Sequence, residues 1–174
     1  DVEIDGWPGL AGALDAVGFS GKPGSVTRIP VPDLDVPVAV SGSGADPDAA
    51  AFRAAAGAGI RTLTGFERIA IAAPTAPDAA WRDLAEGAVL GGYRFEGYKT
   101  STPPTRATEV VVHPSAAPSD AERTEVAAVG GAVALVKDLV TTPAEWLGPA
   151  DFAERAVSAV AALPGDVEVL DEDA

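Results

Sequence analysis

The run KDLVTTPAEWLGPADFAERAVSAVAAL, Lys137 to Leu163, constrains this chain more than any other stretch. Whatever helix enters it must end at Thr141-Thr142-Pro143. Pro143 has no N–H to donate, and its ring clashes with a preceding helical turn. Thr142 precedes a proline and is driven to extended geometry. A long apolar helix therefore ends at Val140. A second helix is predicted from Pro149 to Leu163, stopped by Pro164-Gly165. Gly148 suits the N-cap, and Pro149 suits the first helical position, where its missing N–H costs nothing. Asp151 and Glu154 set negative charge against the positive end of the helix dipole. Phe152, Ala156, Val160 and Leu163 recur at helical spacing, with Ala153 and Val157 beside them. A stiff break followed by a fresh amphipathic helix reads as a connector between domains.

Strands and helices alternate before that break. Leu10 to Val17 reads as a short helix and Ser25 to Ile29 as a strand, with Pro30 at its end or on an edge. Val36 to Val40 reads as a buried strand, provided Pro37 lies near its start. A helix opens at Asp46-Pro47 and runs to about Ala56, where Gly57 and Gly59 are expected to end it. Arg68 to Ala72 is a strand, Asp78 to Gly92 a helix and Glu109 to Val112 a strand. Ser119 and Glu122 form a capping box for the long helix. Its stripe is Val126, Val129, Val133, Val136 and Val140, interrupted by Gly130 and Gly131, whose reason would be close packing. Asp166 to Leu170 alternates like a strand with one wet face, whereas Asp1 to Pro8 and Pro32 to Asp35 read as irregular or turn. The class is α/β, with helices covering a largely buried sheet.

A chain of 174 residues can bury a sizeable core. Its 26 acidic residues against 12 basic ones, net −14, disfavour nucleic acid and anionic membranes. No run of about 18 apolar residues is present, so no membrane span is expected. No basic-then-apolar leader opens the chain. Without Cys there is no disulfide framework and no thiolate metal site. Without Met, Asp1 is not an initiator, and the chain is expected to be cut from a longer polypeptide or trimmed.

Chemistry-bearing patterns are sparse. Gly42 and Gly44 follow a strand and precede a helix, where backbone N–H groups can approach a phosphate. Their spacing fits neither phosphate-loop pattern, and a βα turn is the simpler reading. His113, the one histidine, has no Cys and no Ser in a nucleophile elbow to serve. The acidic groups Asp33/Asp35, Asp46/Asp48 and Asp171/Glu172/Asp173 lack the spacing of a calcium loop and read as solvated turns and tail. Trp7, Trp81 and Trp146 read as core or interface. No catalytic or metal-ligating residue emerges.

Two stretches carry a family resemblance. Ala85 to Thr100, AEGAVLGGYRFEGYKT, resembles the AEG-x-x-L-x-x-Y-x-F-x-x-Y-K pattern of the leucyl (cytosol) aminopeptidases, through Glu86, Gly87, Tyr93, Phe95, Tyr98 and Lys99. Lys137 to Ala156 is similar to that family's R-D-L-V-N-T-P…P-x-x-F-A pattern, through Asp138, Leu139, Val140, Thr142, Pro143, Pro149, Phe152 and Ala153. Lys137 stands where Arg is usual, and Thr141 where Asn is usual.

The resemblance implies an N-terminal domain with a fold resembling the macro domain, a mixed β-sheet flanked by helices. It implies three segments: residues 1–140 as that domain, 141–163 as connector and linker helix, 164–174 as the start of a C-terminal catalytic domain. The parent is implied to be a cytoplasmic homo-hexamer, a hydrolase that releases N-terminal residues from peptides using two divalent metals, zinc or manganese. Lys22, Lys99 and Lys137 are the only lysines, and none lies in the family's metal motif. The chain alone is therefore expected to be inactive, serving assembly, access or regulation in partnership with the catalytic domain. The alternative is an ADP-ribose-type ligand held, as in macro domains, at Gly42 and Gly44.

Overall fold

Asp48 starts the first of two small-residue helices at the centre of the molecule. A computed structural model describes residues 9–31, 35–74, 76–77, 80–100, 103–113 and 117–170. The Asp48 backbone is extended, and its carboxylate accepts the Ala51 N–H at 2.8 Å, which satisfies one of the helix's orphan donors. From there α2 (Ala49–Thr62) runs through both Gly57 and Gly59 to an extended Leu63. The expected end near Ala56 is thus corrected, and the cause is a neighbour. A Cβ on Gly57 would lie 3.1 Å from the carbonyl oxygen of Gly87 in α3 (Ala80–Gly92). In turn, a Cβ on Gly87 would collide with the Arg53 carbonyl, and one on Gly91 with the Gly57 carbonyl. The two backbones touch at a separation that no side chain allows. Ala55, Ala56, Ala58 and Ile60 of α2 and Ala80, Leu84 and Ala88 of α3 are buried around that contact.

Charge frames the same seam. Arg53 reaches from α2 to Asp83 (2.8 Å) and Glu86 (2.9 Å) on α3. Glu86 also takes Arg82 Nε at 3.1 Å, and Arg82 extends to Glu125 at 2.8 Å. That last residue lies on α4 (Asp120–Thr141), so one chain of ion pairs spans three helices.

The strands form two small sheets among the described residues. β1 (Val26–Ile29) pairs antiparallel with β2 (Val38–Ser41), with Ile29 opposite Val38. β2 begins after Pro37, which cannot donate to a ladder. The Ser41 hydroxyl donates to the Ala55 carbonyl at 2.8 Å, which ties this hairpin to α2. β3 (Arg68–Ala72) pairs parallel with β4 (Glu109–His113), in register from Arg68–Glu109 to Ala72–His113. A parallel pair needs a long crossover, which α3 supplies. Ile69, Ile71, Val110 and Val112 share the half-buried face of this sheet. The α/β class expected from the alternation is present, as small sheets flanked by helices, one antiparallel and one parallel.

The short helix α1 (Leu10–Ala16) buries Leu10. The long helix α4 opens on its capping box: the Ser119 N–H reaches the Glu122 carboxylate at 2.8 Å, and the Glu122 N–H reaches the Ser119 hydroxyl at 3.3 Å. Gly130 meets α3, since a Cβ there would collide with Val89, whereas Gly131 faces open space. The expected valine stripe divides. Val126 is buried, but Val129, Val136 and Val140 are exposed.

After the break comes a single 3₁₀ turn, Ala144–Trp146, and then α5 (Pro149–Val160), shorter than the predicted span to Leu163. The Gly148 N–H is capped by Asp151 at 2.9 Å. No residue of α5 is buried. Asp166 to Leu170, expected as a strand, is irregular and exposed. A strand exists only through a neighbouring ladder, and no described strand pairs with it. The readings for Asp1 to Pro8, Asp33, Asp78 and Asp171 to Asp173 fall outside the described residues. Among those described, no helix is long and apolar enough to cross a membrane.

The glycine seam separates two otherwise similar substitutions. Gly87→Ala must push α2 away and should cost roughly 1–3 kcal/mol, the usual penalty of overpacking. Gly131→Ala adds a methyl into open space within a helix and should stabilise by about 0.5–1 kcal/mol. Urea denaturation of both variants checks the pair.

Candidate functional site

The two motif stretches are 37 or more residues apart in sequence between their nearest ends, Thr100 and Lys137, yet they meet in space. The chain leaves α3 at Gly92 and presents Tyr93, whose hydroxyl donates to the Asp138 carboxylate on α4 at 2.8 Å. The Lys137 ammonium lies over the Tyr93 ring, 4.9 Å from its centroid. Asp138 also shapes the break through its carbonyl, which accepts the Thr142 hydroxyl at 2.7 Å and the Thr142 N–H at 2.9 Å. Thr142 is buried, so its hydroxyl needs that partner. Farther along the same loop, Tyr98 stacks on Trp146 with ring centroids 5.9 Å apart and planes at 23°. Phe95 also approaches Tyr98, tilted, with ring centroids 6.1 Å apart. Tyr98 has φ 61, a left-handed conformation rare for a bulky residue.

Two further motif residues lie in the helix seam. Glu86 collects Arg53 and Arg82, and Gly87 admits the α2 backbone. The motif stretches thus build one continuous support, from the α2–α3 contact out to the connector. The sequence alone marked these stretches by pattern. It did not show that Tyr93 answers Asp138, or that Trp146 has Tyr98 for a partner. Their occurrence together in one chain was the available signal.

Gly42 and Gly44 serve the hairpin. The Gly42 N–H donates to the Ser25 carbonyl at 2.8 Å, and the Gly44 N–H to the Gly21 carbonyl at 3.0 Å. A Cβ on Gly42 would collide with the Lys22 carbonyl, and Gly44 has φ 90. Both amides are therefore spent on the 21–25 turn, and both positions need glycine for reasons of backbone packing. His113 ends β4 with its side chain exposed, opposite Ala72. Asp48 is the cap of α2, and Asp46 and Asp35 are exposed. Among the described residues no three His, Asp or Glu side chains converge as a metal site would require. An open groove of about 470 Å³ runs beside the β1–β2 hairpin. Its one arginine, Arg28, already donates to the Thr64 carbonyl and lies over the Phe66 ring.

Residues 8–102 match the model of the cytosol aminopeptidase family, N-terminal domain. A probable cytosol aminopeptidase of Leifsonia xyli subsp. xyli is 42% identical over 167 residues, 94% of this chain and 34% of that protein. One from Rhodococcus opacus is 39% identical, over 95% of this chain and 35% of its own length. The chain thus spans about a third of the length of the curated relatives it matches. Among solved structures, the bottromycin maturation enzyme BotP in complex with Mn superposes with a TM-score of 0.69 at 32% identity, over 86% of this chain and 33% of that one. The cytosol aminopeptidase from Coxiella burnetii shares the fold, with a TM-score of 0.66 at 20% identity, over 94% of this chain and 33% of that one.

The Tyr93–Asp138 contact titrates in a known direction. Burial first, then the hydrogen bond and charge of Asp138, hold the phenol above its ordinary value of 10.0. A raised folded-state pKa means that its stabilising contribution is complete below the ordinary tyrosine range. That contribution is lost as pH rises through the folded value. Denaturant midpoints measured from neutral pH upward should therefore fall more steeply above about pH 10 in the wild type than in Tyr93→Phe. Parallel curves would show that the pair contributes nothing.

Proposed function

Because this chain belongs to the cytosol aminopeptidase family, as its N-terminal domain, we propose that it is the non-catalytic partner of a metal-dependent leucyl aminopeptidase. The parent polypeptide removes N-terminal residues from peptides with two divalent metals, zinc or manganese, in a cytoplasmic homo-hexamer. Residues 1–140 form the N-terminal unit, 141–163 the connector, and 164–174 open the catalytic domain. The catalytic domain supplies the metal ligands, and this domain governs its assembly, access or regulation. Curated relatives about three times as long, and a manganese-bound structural neighbour, support this reading.

One observation carries the docking role. The apolar surface left over by the fold is concentrated late in the chain. Val136 is 58% exposed, Val140 81%, Phe152 51% and Leu163 61%. Fully burying such a side chain is worth roughly 1.5–3 kcal/mol. An amphipathic helix as short as α5 has little stability of its own in water. A face of this kind at a chain exit is suited to a covalently attached neighbour.

Three measurements test the reading. The purified chain should not hydrolyse a leucyl anilide with manganese or zinc, and metal-dependent turnover by it would overturn the assignment. In the whole parent, Val140→Ser with Phe152→Ser should lower the melting temperature and admit protease near Pro143, while leaving the melting temperature of this chain alone unchanged. The reverse pattern would place the face in this domain's own core. Trimming the chain after Pro143 should leave a folded domain with a similar melting temperature, since α5 buries nothing.

A further inference from the structure

The connector is short, and contacts from elsewhere in the fold bracket it. The chain turns at Thr142, whose backbone is extended, and passes through Pro143 and one 3₁₀ turn to α5. A joint of so few residues, followed by a helix with no buried side chain, would swing freely if nothing held it. Two contacts do hold it, one on each side of Pro143, and both come from the same short loop. On the near side, the Tyr93 hydroxyl holds Asp138 and Lys137 covers the Tyr93 ring. On the far side, Tyr98 stacks on Trp146, two residues before Gly148 caps α5.

We propose that Tyr93 and Tyr98, closing on Lys137, Asp138 and Trp146, form a clasp that fixes the direction in which α5 leaves the domain. Burial does not explain the Tyr98–Trp146 pair, since the two residues remain 58% and 55% exposed. Nor does local backbone preference, since Tyr98 holds the left-handed conformation that disfavours a side chain. Strain of this kind persists where surrounding contacts over-determine it. Here the contacts are the two rings that neighbour Tyr98, those of Phe95 and Trp146. In the whole parent, the clasp would set the angle at which the next domain is presented. The inference deepens the connector role proposed above, yet it is measured on this chain alone. It can fail while the domain still docks, and it can hold where docking fails.

The chain has no cysteine, so introduced cysteines label uniquely. Ala54 on α2 and Ser158 on α5 are exposed. With Ala54→Cys and Ser158→Cys carrying spin labels, pulsed dipolar spectroscopy reads the distance from the domain core to α5. The otherwise unaltered chain should give one narrow distance. Tyr93→Phe and Tyr98→Gly should each broaden it into a spread of distances. Tyr98→Phe, which keeps the ring, should restore the narrow distance. Tyr98→Gly also relieves the left-handed strain, so its melting temperature should hold or rise while the distance broadens. A merely structural Tyr98 would show the opposite: a lower melting temperature and an unchanged distance. The proposal is overturned by a narrow distance in both loosened variants, by a broad one in the starting protein, or by a Tyr98→Phe chain as broad as Tyr98→Gly.

Discussion

The backbone contact between α2 and α3 is what the rest of the domain depends on. Gly57, Gly87 and Gly91 let the two helices approach until α2 carbonyls crowd the places of Cβ atoms on Gly87 and Gly91, and the Gly87 carbonyl comes within 3.1 Å of where a Gly57 Cβ would be. Each glycine inside a helix gives up about 1 kcal/mol against alanine. Close packing along the seam, with Ala55, Ala56, Ala58, Leu84 and Ala88 buried beside it, offsets that loss. The close approach also brings Arg53 within reach of Asp83 and Glu86 together. Glu86 is nearly buried, so widening the seam would strand a carboxylate as well as open a void. The hairpin attaches to this pair through Ser41 and Ala55, and α4 through Gly130 against Val89.

A core made of small residues leaves larger apolar ones elsewhere. Hydrophobic residues make up 47% of the chain, yet the buried set leans heavily on alanine and glycine. Much of the valine, leucine and aromatic content is therefore spread over the second half of α4, the 3₁₀ turn, α5 and the tail. Scattered exposed apolar side chains need no explanation. A succession of them along consecutive elements at one exit of the fold is a different matter, because such surface is characteristic of a face that is covered in its working state.

Local chemistry was legible in the sequence, and pairwise chemistry was not. The Ser119–Glu122 box, the Gly148-Pro149 start and the break at Thr142-Pro143 all follow from residues within a few positions of one another, whereas the strand read from Val36 to Val40 runs from Val38 to Ser41. Gly57 and Gly59 misled, because a glycine pair reads as a helix stop unless a second helix is known to lie against it. Asp166 to Leu170 misled for the converse reason: its alternation is right for a strand, but alternation cannot provide a partner. The valine stripe of α4 was rightly periodic, yet periodicity does not say how much of a stripe finds cover. In the same way, Gly42 and Gly44 suggested backbone N–H groups open to a phosphate, with a βα turn as the simpler reading. The approaching group proved to be the 21–25 turn of the same chain.

The departures from the family pattern fit this division of labour. An arginine is usual at position 137 of the pattern and lysine stands there, so what survives the change is a cation. The contact that the structure gives it, an ammonium over the Tyr93 ring, asks for a cation and little else. A bidentate carboxylate partner would have asked for arginine specifically. Asp138 beside it is kept, and it is the residue with two duties, accepting the Tyr93 hydroxyl through its carboxylate and the Thr142 hydroxyl through its carbonyl. Thr142 and Pro143 are kept as well, and they make the break. Thr141, in place of the usual asparagine, is the last residue of α4, one position before the turn that Thr142 caps. At these matched positions the structure places contacts between elements: Asp138 with Tyr93 and Thr142, and Lys137 over the Tyr93 ring.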